Sequence, residues 1–138
     1  MLYYPVGDVH GCADALELLL AEISRHKRTH HARRAHRIVM LGDFVDRGPD
    51  SARVLDLCIA LERDVHVVLP GNHDQMMHDA LAMRPGEAER DAAYWWLNGA
   101  RPTMKSYGAT RLSATRFWRS FDRVGPDHRA FLARILEQ

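Results

Sequence analysis

The chain has 138 residues, about one domain's worth, and a chain of that size buries about two-thirds of its unfolded surface. A 46% hydrophobic and 27% charged composition excludes a disordered chain, and a net charge of +1 excludes a global field that would steer it to nucleic acid or a membrane. Two cysteines, Cys12 and Cys58, are too few for a disulfide framework, and no apolar run approaches the ~20 residues of a membrane span.

The N-terminus, Met1-Leu2-Tyr3-Tyr4-Pro5-Val6, has neither a basic start nor a long apolar segment, so a cytoplasmic location is expected. Leu2 to Val6 predicts a buried strand that feeds a loop at Gly7-Asp8. From Ala13 to Ser24, Leu16, Leu19, Leu20 and Ile23 recur at helical spacing. The basic run His26 to Arg37 has no apolar period and no stacking aromatics, and is expected to be a solvated loop rather than a nucleic-acid surface. Ile38 to Leu41 predicts a second strand, stopped by Gly42-Asp43. Pro49-Asp50-Ser51 is a helix start, and Val54, Leu55, Cys58, Ile59 and Leu61 continue it. Val65 to Leu69 predicts a third strand, ended by Pro70-Gly71. Strands alternating with helices of this length imply parallel βαβ units. Helices are then expected over Met76–Met83, Ala88–Asn98, Ser113–Asp122 and Pro126–Glu137, with a break at Pro85-Gly86 and a loop from Gly99 to Thr110.

Each of the three strands delivers a glycine-flanked polar loop from its carboxyl end, where sites form in open parallel sheets. The loops are Gly7-Asp8-Val9-His10-Gly11, Gly42-Asp43-Phe44-Val45-Asp46-Arg47-Gly48 and Gly71-Asn72-His73-Asp74. A lone Gly-Asp after a strand is most often a turn or a helix cap. Three such loops on successive strands, each with a metal-capable side chain, point to a shared centre. Aspartate, asparagine and histidine together make a mixed oxygen and nitrogen set, which suits Mn²⁺, Fe or Zn²⁺ better than Ca²⁺.

The trio resembles the signature GDxHG, GDxVDRG and GNHD/E of the calcineurin-like metallophosphoesterases, in the variety found in phosphoprotein phosphatases. Gly71-Asn72-His73-Asp74-Gln75-Met76-Met77, Trp96-Leu97-Asn98-Gly99-Ala100 and Thr103-Met104-Lys105-Ser106-Tyr107-Gly108 resemble stretches of the phage lambda type of bacterial Ser/Thr phosphatase. The resemblance implies an α/β fold, a β-sandwich flanked by helices, of which this chain holds the N-terminal βαβαβ half and a helical segment, as a single partial domain over 1–138. It implies two divalent metals, Mn²⁺ first and Fe or Zn²⁺ as other fits. Asp8 and His10 would hold the first metal, Asp43 would bridge, and Asn72 would hold the second. His73 would be the general acid, oriented by Asp46, and Arg47 would bind the phosphate. A metal pair lowers the pKa of a shared water, and hydroxide then attacks phosphorus in line with the leaving oxygen. Arginine offers a planar fork that matches two phosphate oxygens.

Within the superfamily, symmetrical dinucleoside tetraphosphate hydrolases resemble this chain closely, but many have alanine at the position of Asp46. Asp46 therefore favours phosphomonoesters, and a Ser/Thr or dual-specificity protein phosphatase is the expected activity. Dinucleoside tetraphosphate hydrolysis is the alternative, and an inactive or mono-metal phosphate-binding fragment is another. The family's second metal also takes two histidines from later HAG and GH segments. His128, the sole histidine after His78, reads as a helix residue and not a ligand. The chain is therefore expected to be truncated, with most of the second sheet missing, or to complete itself by forming a homodimer or taking up a complementing segment. Its strands read as buried on both faces. Tyr94, Trp95 and Trp96 are expected to pack in the core rather than line a substrate wall, Cys12 to be a small buried residue at a helix start, and Cys58 to lie in the core.

Overall fold

The computed structural model describes residues 1–64, 66–83 and 88–137. Val65 of the expected third strand and the expected Pro85-Gly86 break lie outside the described residues. Three strands, β1 (Leu2–Val6), β2 (His36–Met40) and β3 (Val67–Val68), form one parallel sheet in the order β1-β2-β3. Leu2 lies opposite His36, Val6 opposite Met40, and Val39 opposite Val67. Because the strands are parallel, the loops that follow Val6, Met40 and Val68 all leave from the same edge. This α/β architecture is the expected one.

Two helices cross between the strands. α1 (Ala13–His30) runs six residues past the expected end at Ser24 and takes in much of the basic run that reads as a loop. The physical reason is local. Arg25 pairs with Glu22 one turn back, and Lys27, Arg28 and His30 sit in the last turn, where the helix dipole favours cations. α2 (Ser51–Arg63) starts as expected at Asp50, whose carboxylate accepts from the Arg53 N–H at 3.2 Å. Its buried stripe Val54, Leu55, Cys58 and Leu61 joins Ile38, Met40 and Val68 in the core. Cys58 is fully buried as expected, whereas Cys12 is exposed, a correction to the reading of it as a small buried residue.

The strands are buried on one face and not on two. Ile38, Met40 and Val68 lie at 5%, 0% and 2% exposure, while Tyr3, Pro5, Leu41 and Leu69 on or beside β1 to β3 are exposed.

The rest of the chain is helical: α3 (Asn72–Ala82), α4 (Ala88–Leu97), α5 (Ala100–Ser106), a 3₁₀ helix (Phe117–Arg123) and α6 (Pro126–Leu136). The expected loop from Gly99 to Thr110 is in fact largely α5. Its Pro102 lies in the first turn, where its missing N–H costs nothing. Trp95 is fully buried between Phe117 and Phe121, with ring centroids 5.8 Å from each, whereas Tyr94, the residue before it on α4, is 60% exposed, a correction to its expected place in the core. His128, on α6, takes no part in the site. Its ring meets the Tyr107 hydroxyl at 2.6 Å and the Asp56 carboxylate at 2.9 Å, fastening α6 to α5 and α2. Among the described residues, no helix is long and apolar enough to cross a membrane.

Candidate active site

The first two glycine-flanked loops are stitched to one another by their own backbones. The Val9 and His10 N–H groups donate to the Asp43 carbonyl at 3.1 and 2.8 Å, and the Gly11 N–H donates to Phe44 at 2.8 Å. The second and third loops are so close that a Cβ on Gly71 would overlap the Asp43 side chain, and one on Gly42 would overlap the Gly71 backbone. Glycine is required at both positions by this approach.

Asp74 finishes the joint. It is fully buried, and its two carboxylate oxygens accept from the Phe44 N–H at 2.9 Å and the Gly71 N–H at 2.8 Å. Burial pushes its carboxyl up to about 7, against the pull of those two hydrogen bonds. In sequence, Asp74 is only the last residue of a motif, with no expected role. The structure gives it one: tying the second loop to the start of α3. Asp74→Asn keeps the shape but meets one N–H with an amide donor. It is expected to lower unfolding free energy by about 1–3 kcal/mol in urea titration. A change within about 0.5 kcal/mol would show the joint to be idle.

On this frame, Asp8, His10 and Asp43 come together, with one ligand atom from each lying within 4.8 Å of the others. The His10 Nδ1 is 2.8 Å from the Val45 carbonyl, so Nδ1 carries the proton and Nε2 is the unprotonated atom, able to serve as a ligand. Two carboxylates and an imidazole converging in this way fit a divalent transition metal. Among the described residues, no further group of three histidine, cysteine or acidic side chains converges in that way. Asn72 is exposed at the first turn of α3, beside His73, whose N–H donates to the Asp43 Oδ1 at 3.0 Å.

Behind this cluster lies a buried polar chain. The His73 Nδ1 donates to the Asp46 Oδ2 at 2.8 Å, with side-chain exposures of 3% and 0%. Asp46 also accepts from the Trp95 indole N–H at 2.9 Å and the Thr103 hydroxyl at 2.8 Å. Burial raises the Asp46 carboxyl, and the three donors oppose that rise. Three fixed donors leave the Asp46 carboxylate one orientation, and it hands that orientation to the His73 ring. Trp95 and Thr103 are the functional neighbours that sequence reasoning missed. Trp95 does pack in the core as expected, but its N–H serves the site.

Arg47 spans the two imidazoles, with Nη1 2.9 Å from the His10 Nε2 and Nη2 3.1 Å from the His73 Nε2. Its fork thus lies at the mouth of the cluster. The positive-φ non-glycine residues among those described are His10, Asp43, Asp46 and Arg47, at 44°, 53°, 74° and 66°. Left-handed backbone at such residues is held by its surroundings, and it concentrates at functional sites. Here it coincides with four of the seven site residues expected from sequence.

Three parallel strands whose loops bring two aspartates and a histidine against an Asp–His–Arg chain define a phosphoesterase type of centre. The calcineurin-like phosphoesterase family matches residues 4–126, and the chain belongs to it. It is 47% identical over 74 residues to the symmetrical bis(5'-nucleosyl)-tetraphosphatase of an Acidovorax species, over 54% of this chain and 24% of that protein. It is 42% identical over 119 residues to the protein of the same name from Delftia acidovorans, over 78% of this chain and 40% of that one. An asymmetrical bis(5'-nucleosyl)-tetraphosphatase of Oceanobacillus iheyensis is 39% identical over 71 residues, covering 49% of this chain and 28% of that one. The matched segments therefore span well under half of each of these relatives.

Proposed function

We propose that this chain carries the N-terminal catalytic loops of a metal-dependent hydrolase that splits the phosphoanhydride of a dinucleoside tetraphosphate. The observation that carries the hydrolase reading, whichever the substrate, is the Asp46–His73–Arg47 chain set directly against the Asp8, His10 and Asp43 cluster. Asp8, His10 and Asp43 would hold one divalent metal, and Asp43 with Asn72 would contribute to a second. Bound there, such metals supply positive charge to phosphate oxygens and lower the pKa of water. The chain's own residues do the rest. Arg47 leaves its two histidine acceptors and places its fork on two phosphate oxygens. Once Arg47 has left, the His73 Nε2 takes up a proton from solvent to give an imidazolium held by Asp46, and passes that proton to the leaving oxygen.

The choice of substrate rests on the relatives' names and on a cavity of about 370 Å³ beside Asn72, lined also by Gln75, Met76, Asp79 and Tyr94. An exposed tyrosine ring and a methionine in the same cavity as Asn72 offer a face for a nucleobase, so Tyr94 supports the dinucleotide reading. This weighs against the protein phosphatase expected from Asp46. The second reading, a phosphomonoesterase, keeps one observation in its favour: a buried, triply held Asp46 is built to orient an acid that good leaving groups scarcely need.

The test compares diadenosine tetraphosphate with a phosphoserine peptide in Mn²⁺. Hydrolysis of the dinucleotide to two nucleoside diphosphates at the higher kcat/KM is expected. Tyr94→Ala should raise KM for the dinucleotide about five- to tenfold, the worth of one stacked base, and leave the peptide unaffected. Preferred turnover of the peptide, indifferent to Tyr94, would overturn the assignment.

A further inference from the structure

A second concave surface lies away from the metal cluster and shares none of its residues. It is a cavity of about 390 Å³ lined by Ala109, Leu112, Ser120 and the arginines Arg111, Arg116, Arg119 and Arg123, with Thr110 at its edge. Its chemistry follows from the sequence. Phe117 and Phe121 lie four residues apart on the 3₁₀ helix and are buried against Trp95, so Arg116, Arg119 and Arg123 are turned outward along the opposite side. Arg111 comes from the preceding loop and closes the other wall.

Among the described residues, none of the four guanidinium groups has a carboxylate partner or donates a side-chain hydrogen bond, although Arg119 lies 5.4 Å over the Trp118 ring. Arg25, Arg53 and Arg134, by contrast, each hold a glutamate, while Arg28, Arg33, Arg37, Arg63 and Arg101 share the lack of a carboxylate partner among the described residues but do not line one hollow together. Four like charges around one hollow repel one another, and an anion within the hollow removes that repulsion.

We propose that this hollow is a second anion site, for a small, multiply charged phosphoanion of the pyrophosphate or nucleoside polyphosphate class. Four planar forks match several phosphate oxygens at once, which a single carboxylate would leave underused. The two walls come from different segments and enclose a volume, whereas a track for nucleic acid would run along an open surface. Nothing in the site needs a metal, so it stands independently of the reaction assigned to the loops.

Calorimetric titration of pyrophosphate into the metal-stripped chain tests this, with Arg47→Ala as the background that silences the other phosphate contact. One binding event per chain is expected, retained in Arg47→Ala. Arg116→Gln with Arg123→Gln should weaken it about tenfold or more, and Arg111→Gln, on the loop wall, should weaken it without touching the 3₁₀ helix. Arg119→Lys, which keeps the charge but loses the planar fork, should weaken it measurably but less than Arg119→Gln. Unchanged Mn²⁺ binding in each variant certifies the fold. A parallel titration with ATP separates the sources: equal affinity assigns the site to the free anion, and tighter ATP binding assigns it to a nucleotide leaning on Ala109 and Leu112. Affinity unchanged in both glutamine variants, loss of all binding in Arg47→Ala, or no binding in the parent chain would overturn the proposal.

Discussion

His73→Asn is expected to bind metal as the parent chain does and to lose about 10²–10⁴ in kcat on substrates with a poor leaving group. The asymmetry comes from where the proton goes. An alkoxide leaving from a phosphoserine needs it, whereas a nitrophenolate or a nucleoside diphosphate departs with little help. The loss should therefore shrink as the leaving group improves, and a plot of log kcat against leaving-group pKa should steepen in the variant. Because Nε2 of His73 also holds Arg47, the substitution frees that guanidinium as well. Poorer phosphate binding alone would depress every substrate by the same factor, so a uniform loss would remove His73 from the role of proton donor. Asp46→Asn should show the same leaving-group pattern at smaller size, since the ring keeps its chemistry but loses the acceptor that fixes it.

The second large effect is on the metal. Asp43 offers one of the three converging ligand atoms and accepts from the His73 N–H with the same side chain. Loss of a residue that merely orients a ligand costs about 10–100-fold in metal affinity, so losing the ligand itself through Asp43→Asn should cost about a hundredfold or more. Mn²⁺ titration followed by paramagnetic resonance reads this directly. Chelation should abolish turnover of the parent chain, with recovery on added Mn²⁺. Parent-like Mn²⁺ affinity in Asp43→Asn would place the metal elsewhere.

Much of this arrangement could be read from the sequence, because its information is local. Gly7, Gly42 and Gly71 follow apolar runs directly, so strand, turn and polar loop are adjacent in the chain, and parallel strands oblige the three loops to meet at one edge. The supports of Asp46 could not be read that way. Trp95 and Thr103 reach it across 49 and 57 residues, and an indole in an apolar helix gives no sign that its N–H has a partner. The helix limits failed where polarity hid them. Asn72-His73-Asp74 looks like loop because its side chains are polar and those of His73 and Asp74 serve a neighbouring loop, although the backbone is already helical. The tail of α1 has no apolar period because charge, and not burial, carries it to His30. The strands read as doubly buried since Val39 and Leu41 are as apolar as Ile38 and Met40, and composition does not say which face a helix covers.

The left-handed residues His10, Asp43, Asp46 and Arg47 bear on how this sequence would change under different pressures. Each costs the folded chain something of order 1 kcal/mol that glycine would not, least for His and Asp and most for Arg47. Selection for a stable globule alone would let Arg47 drift to glycine, and Arg47→Gly should melt higher while it loses the site, whereas Asp43 and Asp46 are also held by the groups that donate to their carboxylates. A lineage that had abandoned the chemistry would betray it first at Arg47, where the backbone has most to gain and the fold has no use for the side chain.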